Sequence, residues 1–86
     1  MQMAGEMPLK MLARALNNRI LVKLKDGSEY VGTLYRYDPC MNLILLDAEE
    51  VSEGRLDPPI AKLGKIIIRG SNVLYVVLDL DKLHSE

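Results

Sequence analysis

The chain has 86 residues, of which 49% are hydrophobic and 27% are charged, so its composition indicates a small globular domain and excludes a disordered or fibrous chain. The 11 basic and 12 acidic residues give a net charge of −1, which excludes a strongly basic surface over the whole chain. An anionic partner would therefore have to meet a local cluster of positive charge. A domain this short buries only about 60% of the surface of its unfolded chain, which favours an oligomer.

The first predicted element is a short helix. Residues 1–7 show no periodicity and are expected to form a flexible N-terminus. Pro8 suits the first turn of a helix, where its missing N–H is not needed, and Asn17-Asn18 favours a helix end. We therefore predict a helix over about residues 8–17. Its apolar stripe consists of Leu9, Leu12 and Leu16.

Five strands are predicted after the helix, between about residues 19 and 78. Alternation of apolar and polar residues from Arg19 indicates the first strand. The Asp26-Gly27 turn should return the chain antiparallel as a second strand over about 29–37, in which Gly32 indicates a sharp bend. The other predicted strands cover about 41–48, 61–69 and 72–78, with a polar loop over 49–59 and a charged tail over 79–86.

Closely spaced turns between short strands predict an all-β domain with a short N-terminal helix, folded over residues 8–78 as a small, strongly bent antiparallel barrel. The last strand has no charge and no proline between Val73 and Leu78, so an uncovered edge there would invite aggregation. Either the barrel closes within one chain, or a neighbouring copy covers the edge and head-to-tail pairing closes a ring. The sequence pattern leaves both arrangements open.

No combination of residues in the sequence indicates catalysis or a metal site. The only histidine, His84, lies in the charged tail, and there is neither a glycine-rich phosphate loop nor a run of metal ligands. We therefore expect no catalytic residue, no metal and no cofactor. Cys40 is the single cysteine, which excludes an intrachain disulfide framework and fits a reducing cytoplasm. The apolar runs are strand-length, so no contact with a membrane is expected.

Two polar turns between apolar strands are the candidate binding segments. They are residues 37–42 and residues 68–72. Arg69 offers a planar cation that can stack on a ring, Asn42 offers a paired donor and acceptor, and Gly70 permits close backbone approach. The alternative interpretation is structural, with Asp38 and Asn72 capping the turns and Arg69 paired with a carboxylate.

Both turns lie in segments that resemble the two motifs of Sm and Sm-like (Lsm) proteins. The first motif is similar to the stretch from Ile20 to Leu45, in which the matching residues include Asp26-Gly27, Gly32, Tyr37-Asp38 and Met41-Asn42-Leu43. The second motif is similar to the stretch Ile68-Arg69-Gly70-Ser71-Asn72-Val73. The match covers about residues 8–78, and the short tail without arginine–glycine repeats resembles archaeal homo-oligomeric members.

The resemblance implies the Sm fold, a five-stranded barrel related to SH3-like and OB-like barrels, whose fourth strand pairs with the fifth strand of the next subunit. It implies a homo-oligomeric ring, most often a heptamer, that binds single-stranded uridine-rich RNA at its pore, one base per subunit. The expected role is that of a scaffold or chaperone in RNA processing or turnover, together with RNA-processing proteins. The RNA-binding residues implied are Asp38, Cys40, Met41, Asn42, Arg69, Gly70 and Ser71.

The resemblance also implies a role for individual residues. Asn42 would hydrogen-bond the Watson–Crick edge of uracil, and Asp38 would orient the Asn42 side chain without touching RNA. The Gly70 N–H would complete the contacts to the base edge. Arg69 would stack on the base, which is accessible because single-stranded RNA exposes its bases.

Two positions depart from the family pattern. Cys40 stands where family members usually carry histidine or an aromatic residue that completes a stacking sandwich, and Ser71 stands where many carry aspartate. A thiol offers little stacking surface, so we expect RNA binding that persists but is weaker than with an aromatic partner. Cys40 also favours a second hypothesis, a structural assembly module that recruits protein partners through its helix or its acidic loop, with weak or vestigial RNA binding.

Overall fold

The computed structural model describes residues 9–80, which form one α-helix, five β-strands and a short 3-10 helix. The elements are α1 Leu9–Ala15, β1 Arg19–Leu24, β2 Glu29–Tyr37, β3 Leu43–Val51, β4 Ala61–Ile68, the 3-10 helix Gly70–Asn72 and β5 Val73–Val77. The predicted class, a short helix followed by five antiparallel strands, is confirmed. The expectations for residues 1–8 and for the tail beyond residue 80 lie outside the described residues.

α1 covers the sheet with Leu12 and Ala15, which are buried, whereas Leu9 of the predicted stripe is 39% exposed. α1 ends at Ala15, two residues before the end of the predicted range, and Asn17 then takes a left-handed conformation with φ 69° that turns the chain away from the helix. The Asn17 N–H then donates to the carbonyl of Leu34 at 2.7 Å. This hydrogen bond fastens the end of the helix to β2.

The strands form one antiparallel sheet in the order β4-β3-β2-β1-β5. The register of β2 against β3 shifts between Val31 and Thr33 and again further along the strand, as expected of a strongly bent sheet. Gly32 lies at the first shift, and a Cβ there would come within 2.8 Å of the Leu45 Cβ. Glycine is therefore required where β2 lies this close to the Leu45 side chain of β3, and the predicted bend at Gly32 is confirmed.

β3 begins later and ends later than the predicted 41–48. Met41 has a left-handed φ of 67°, which keeps it in the turn, and the strand begins at Leu43. Residues 49–51 were predicted to be loop, and this was wrong, because they pair with β2 through Val31 and Glu29. Glu49 and Glu50 can lie in a strand because they are only half-buried, while the backbone pairing is supplied by both neighbouring strands.

Two apolar clusters stabilise the sheet. The larger lies on the α1 side and contains Leu12, Ala15, Ile20, Val22, Leu34, Leu43, Leu45, Ala48 and Ile68. The smaller contains Leu21, Val31 and Val51. Because successive side chains of a strand point to opposite faces, Leu21 faces away from its neighbours Ile20 and Val22. Leu21 is also buried, with only 2% of its surface exposed, so both faces of β1 are covered.

β4 and β5 are the two edges of the sheet, and within residues 9–80 they do not pair with each other. Among the described residues, the barrel is therefore not closed by pairing of strands within one chain, which was one of the two arrangements left open above. Both edges carry apolar side chains in solvent: Ile67 of β4 is 69% exposed, and Leu74 and Tyr75 of β5 are also exposed. Such edges are available for pairing with another chain.

Candidate nucleic-acid interface

The two candidate turns come together at one end of the sheet. The first joins β2 to β3, and the second joins β4 to β5. They become neighbours because β3 pairs with β4 at Leu43, which directly follows the first turn, and Ile68, with which the second turn begins. Together they line an open depression of about 560 Å³ formed by Pro39, Cys40, Met41, Asn42, Arg69, Gly70 and Ser71. Of the seven residues implied by the resemblance, only Asp38 is not in this lining.

Asp38 organises the first turn from behind the depression. Its Oδ1 accepts hydrogen bonds from the backbone N–H of Cys40 at 2.9 Å and of Asn42 at 3.0 Å. Its Oδ2 accepts a hydrogen bond from the side-chain Nδ2 of Asn42 at 2.9 Å. These bonds, the one from the Asn42 side chain most of all, lower the pKa of the Asp38 carboxyl below its ordinary value of 3.8. Asp38 is therefore ionised at neutral pH and acts as an acceptor only.

The amide of Asn42 is held in one orientation from both sides. Its Oδ1 accepts a hydrogen bond from the backbone N–H of Gly70 at 2.7 Å, while its Nδ2 donates to Asp38. Because a carboxylate only accepts and a backbone N–H only donates, the two neighbours require the same orientation of the amide. Asn42 is exposed, so one N–H of Nδ2 and one lone pair of Oδ1 remain for a ligand.

Gly70 allows the two turns to touch. A Cβ at this position would clash with the carbonyl oxygen of Cys40, so no other residue fits without moving one of the turns. The Gly70 N–H, which the resemblance assigns to the edge of a base, donates to Asn42 within the protein. In this structure the Gly70 N–H therefore helps to orient the side-chain amide of Asn42.

Arg69 lies at the edge of the depression as an exposed cation. Within residues 9–80 no carboxylate lies within ion-pair distance of its guanidinium, unlike Arg19 and Lys23, which pair with glutamates. The structural interpretation required Asp38 and Asn72 to cap the turns and Arg69 to pair with a carboxylate. Asp38 does cap its turn. In residues 9–80, however, Asn72 holds the second turn through its backbone N–H, which donates to the Arg69 carbonyl at 2.9 Å, and Arg69 has no carboxylate partner. The guanidinium plane is thus available to a ligand.

The remaining predicted residues occupy different environments. Cys40 and Ser71 are exposed in the depression, and Cys40 is a free thiol. Met41 is half-buried and packs against the larger apolar cluster, so it also supports the turn from the core side. Pro39 lines the depression but was not predicted as a site residue; its place between Asp38 and Cys40 is the signal that could have found it.

The hydrogen bonds of Asp38 predict a pH dependence of stability. Because the pKa in the folded chain is lowered from 3.8, the ionised carboxylate stabilises the fold above the unfolded value, and this contribution is lost as the pH falls through the folded pKa. Urea unfolding of the wild type and of Asp38→Asn measures it. The difference in unfolding free energy between the two should be constant near neutral pH and shrink below pH 3.8. A difference that stays constant through the acid range would contradict this assignment.

Other kinds of site have less support in the described part of the chain. No three His, Cys, Asp or Glu side chains in residues 9–80 lie close enough together to hold a metal ion. The buried Glu29 accepts hydrogen bonds from Lys23 Nζ at 3.1 Å and from the Gly54 N–H at 2.8 Å, so its carboxylate is already satisfied. No helix in the described residues is long and apolar enough to span a bilayer.

Comparison with known proteins confirms the family suggested by the motifs. The LSM domain matches residues 10–78. An Archaeoglobus fulgidus protein named as Sm-like is 46% identical over 69 residues, which are 80% of this chain and 86% of that protein. The structure of a Pyrococcus abyssi Sm protein in complex with a uridine heptamer is 42% identical with a TM-score of 0.72, covering 84% of this chain and 97% of that one. The structure of a heptameric archaeal Sm protein is 37% identical with a TM-score of 0.70, and the match covers 79% of this chain and 94% of that one. On sequence and fold together, the chain belongs to the LSM family and is similar to its archaeal Sm-like members.

Proposed function

We propose that this protein assembles into a homo-oligomeric ring that captures short uridine-rich single strands of RNA at its pore. The observation that carries the proposal is the Asn42 amide, held by Asp38 at 2.9 Å and by Gly70 at 2.7 Å with one donor and one acceptor left for a base. The similar Sm proteins support it, since one is a heptamer and another was solved with a uridine heptamer. A heptamer is therefore the proposed ring.

Ring formation follows from the two unpaired edges. β4 and β5 lie at opposite ends of the strand order, so β4 of one copy can extend the sheet of the next copy at β5. Such head-to-tail pairing is heterologous, and it closes into a ring when the rotation between copies allows it. Pairing would bury the exposed apolar side chains of Ile67, Leu74 and Tyr75. It would also repeat the depression once per subunit.

The remaining donor and acceptor of Asn42 match uracil. On its Watson–Crick edge, uracil presents the N3–H donor beside the O4 acceptor, so N3–H can donate to Oδ1 while Nδ2 donates to O4. Cytosine presents an acceptor at N3 and an amino donor at C4, which is the reverse order. An amide free to rotate would accommodate either base. An amide held by Asp38 and Gly70 selects uracil.

Arg69 supplies the second contact to each base. Its guanidinium is planar and exposed, and a base stacked against it gains about 1–3 kcal/mol. One strand that visits several subunits multiplies these modest contacts into high avidity. The net charge of −1 is no obstacle, because the ring would bring one Arg69 per subunit to the same pore.

Replacing Asp38 with asparagine should relax the choice of base. An asparagine side chain offers both a donor and an acceptor, so residue 38 no longer dictates which way the Asn42 amide faces, and only the hydrogen bond from the Gly70 N–H still holds that orientation. We expect the preference for oligo(U) over oligo(C) to fall by about tenfold, since a mismatched hydrogen-bonding pair costs on the order of 1–3 kcal/mol. Competition binding with the two oligomers measures it. An unchanged preference would mean that the amide orientation does not select the base.

Cys40 leaves the second face of the base without an aromatic partner. Replacing Cys40 with histidine should therefore tighten oligo(U) binding, because a stacked base is worth about 1–3 kcal/mol. Cys40→Ser, which removes the thiol without adding a ring, is the matched control and should bind as the wild type does. If Cys40→His binds no more tightly than Cys40→Ser, the stacking argument is wrong.

The biological role that fits this site is a non-enzymatic scaffold or chaperone in RNA processing or turnover, in the cytoplasm. The second candidate is an assembly module that recruits protein partners with weak or vestigial RNA binding. It is favoured by the exposed Cys40, which provides little surface for stacking. In that case the ring would persist and the RNA affinity would be low.

Fluorescence anisotropy with labelled oligo(U), oligo(A) and oligo(C) at two salt concentrations tests the proposal. Contacts to phosphate weaken as salt rises, whereas base recognition shows as a difference between sequences. Tight binding that favours oligo(U) at both salts would support the pore site. Weak binding that is indifferent to sequence and disappears at the higher salt would favour the assembly module.

A further inference from the structure

Tyr35 and Arg36 form an exposed pair on β2, outside the depression. In a regular strand, neighbouring side chains point to opposite faces of the sheet. Here the register of β2 against β3 shifts between Leu34 and Arg36, so Tyr35 is the extra residue of a β-bulge. The bulge lets the two neighbouring side chains meet, and the guanidinium carbon of Arg36 lies 5.3 Å from the centre of the Tyr35 ring.

Neither residue of this pair has a structural task visible in residues 9–80. Tyr35 is 43% exposed and belongs to neither apolar cluster. Arg36 is exposed, and no carboxylate of the described residues lies within ion-pair distance of it. An aromatic ring beside a cation that is not neutralised is the combination with which proteins stack bases and contact phosphates of single-stranded nucleic acid.

The position of the pair connects it to the candidate site. Tyr35 precedes Asp38 by three residues on the strand that leads into the first turn, so their Cα atoms lie within about 10 Å of each other. Neither Tyr35 nor Arg36 is among the residues that match the family motifs. The pair thus lies at a distance that a nucleotide next to the proposed pore site can reach.

We propose that Tyr35 and Arg36 form a second RNA contact, which binds a nucleotide beyond those held at the pore; the inference rests on the proposed RNA-binding function. The base stacks on the face of the Tyr35 ring opposite the Arg36 guanidinium, which pairs with the adjacent phosphate. Every nucleotide has a ring face and a phosphate, so this contact is tolerant of sequence, in contrast to the edge contact of Asn42.

Two RNA lengths separate this contact from the pore. In a ring of seven pore sites, a uridine heptamer has all of its nucleotides bound at the pore. A uridine oligomer three times as long has further nucleotides that can reach the second contact. Anisotropy with both oligomers should show that Tyr35→Ala weakens binding of the longer one about tenfold and leaves the heptamer unchanged. Tyr35→Phe keeps the ring and should bind as the wild type does. Arg36→Ala should weaken the longer oligomer and reduce the salt dependence of its binding.

The matched control is Arg55→Ala, which removes the same charge from an exposed loop residue and should change neither oligomer. If Tyr35→Ala and Arg36→Ala bind the longer oligomer as the wild type does, or lose both oligomers equally, the second contact is refuted. The measurement with the uridine heptamer tests the proposed pore site separately. A wild type that binds only the longer oligomer, in a Tyr35-dependent way, would refute the pore site and leave this contact standing.

Discussion

Replacing Arg69 with alanine should abolish measurable binding of oligo(U) while leaving the ring intact. The Arg69 side chain is exposed and pairs with no carboxylate of residues 9–80, so its removal costs the fold little. Each stacked base is worth about 1–3 kcal/mol, and one strand would lose this contact at every subunit it visits. We therefore expect a loss of at least about 100-fold. Anisotropy measures the affinity, and native mass spectrometry measures the ring.

Arg55→Ala is the matched control for charge. Arg55 is also exposed, but it lies in the loop between β3 and β4, away from the depression. Its removal changes the net charge by the same amount and should leave oligo(U) binding nearly unchanged. Similar affinities for Arg69→Ala and the wild type would show that the bases are not held by this guanidinium. Loss of the ring in Arg69→Ala would show that Arg69 acts in assembly.

Replacing Ile67 with aspartate should convert the ring into monomers. Ile67 is 69% exposed on the unpaired edge strand β4, so the isolated subunit tolerates a polar side chain there. In the ring, pairing with the next copy would bury this position, and the change would lose about 1.5–3 kcal/mol of apolar burial and would bury a charge as well. Because every interface of the ring carries the change, the losses add. Light scattering after gel filtration measures the mass, and circular dichroism confirms the fold.

Met11→Asp is the control for this substitution. Met11 is also an exposed apolar residue, but it lies on α1 and not on a sheet edge. The Met11→Asp variant should therefore remain assembled as a ring. A ring that survives Ile67→Asp with unchanged mass would contradict assembly through β4, and the edges would then need another explanation.

Much of the fold could be predicted from local patterns. The period of two from Arg19 and the turn at Asp26-Gly27 act over a few neighbouring residues, and the structure follows them. The glycine at position 32 also marks the bend in the sequence, although the Leu45 side chain that requires it lies on β3. The end of β3 could not be predicted in this way. Residues 49–51 look like part of a polar loop, but β2 supplies backbone partners for all three and β4 for Glu49 and Glu50, and that pairing is decided far away in the sequence.

The candidate site shows the same division. Asn42 and Arg69 stand out from sequence because their side chains are suited to reading a planar base, and the family motifs contain both. The hydrogen bond from the Gly70 N–H to Asn42 joins residues that are 28 positions apart, and no local pattern contains it. The family resemblance implied a contact of this N–H with a base, which stays a prediction; the fold shows in addition that the N–H donates to the Asn42 amide and holds it.

The sequence by itself determined the order of elements, the membership of the LSM family and the residue types available to a ligand, because these depend on short-range periodicity and on motif residues. Only the tertiary structure decided that β4 and β5 are both open edges, that Arg69 has no carboxylate partner in the described residues, and that the Tyr35–Arg36 pair exists. Each of these depends on which distant strands pair and in what register. Strand pairing is a long-range choice, and a single shift of register changes which side chains meet.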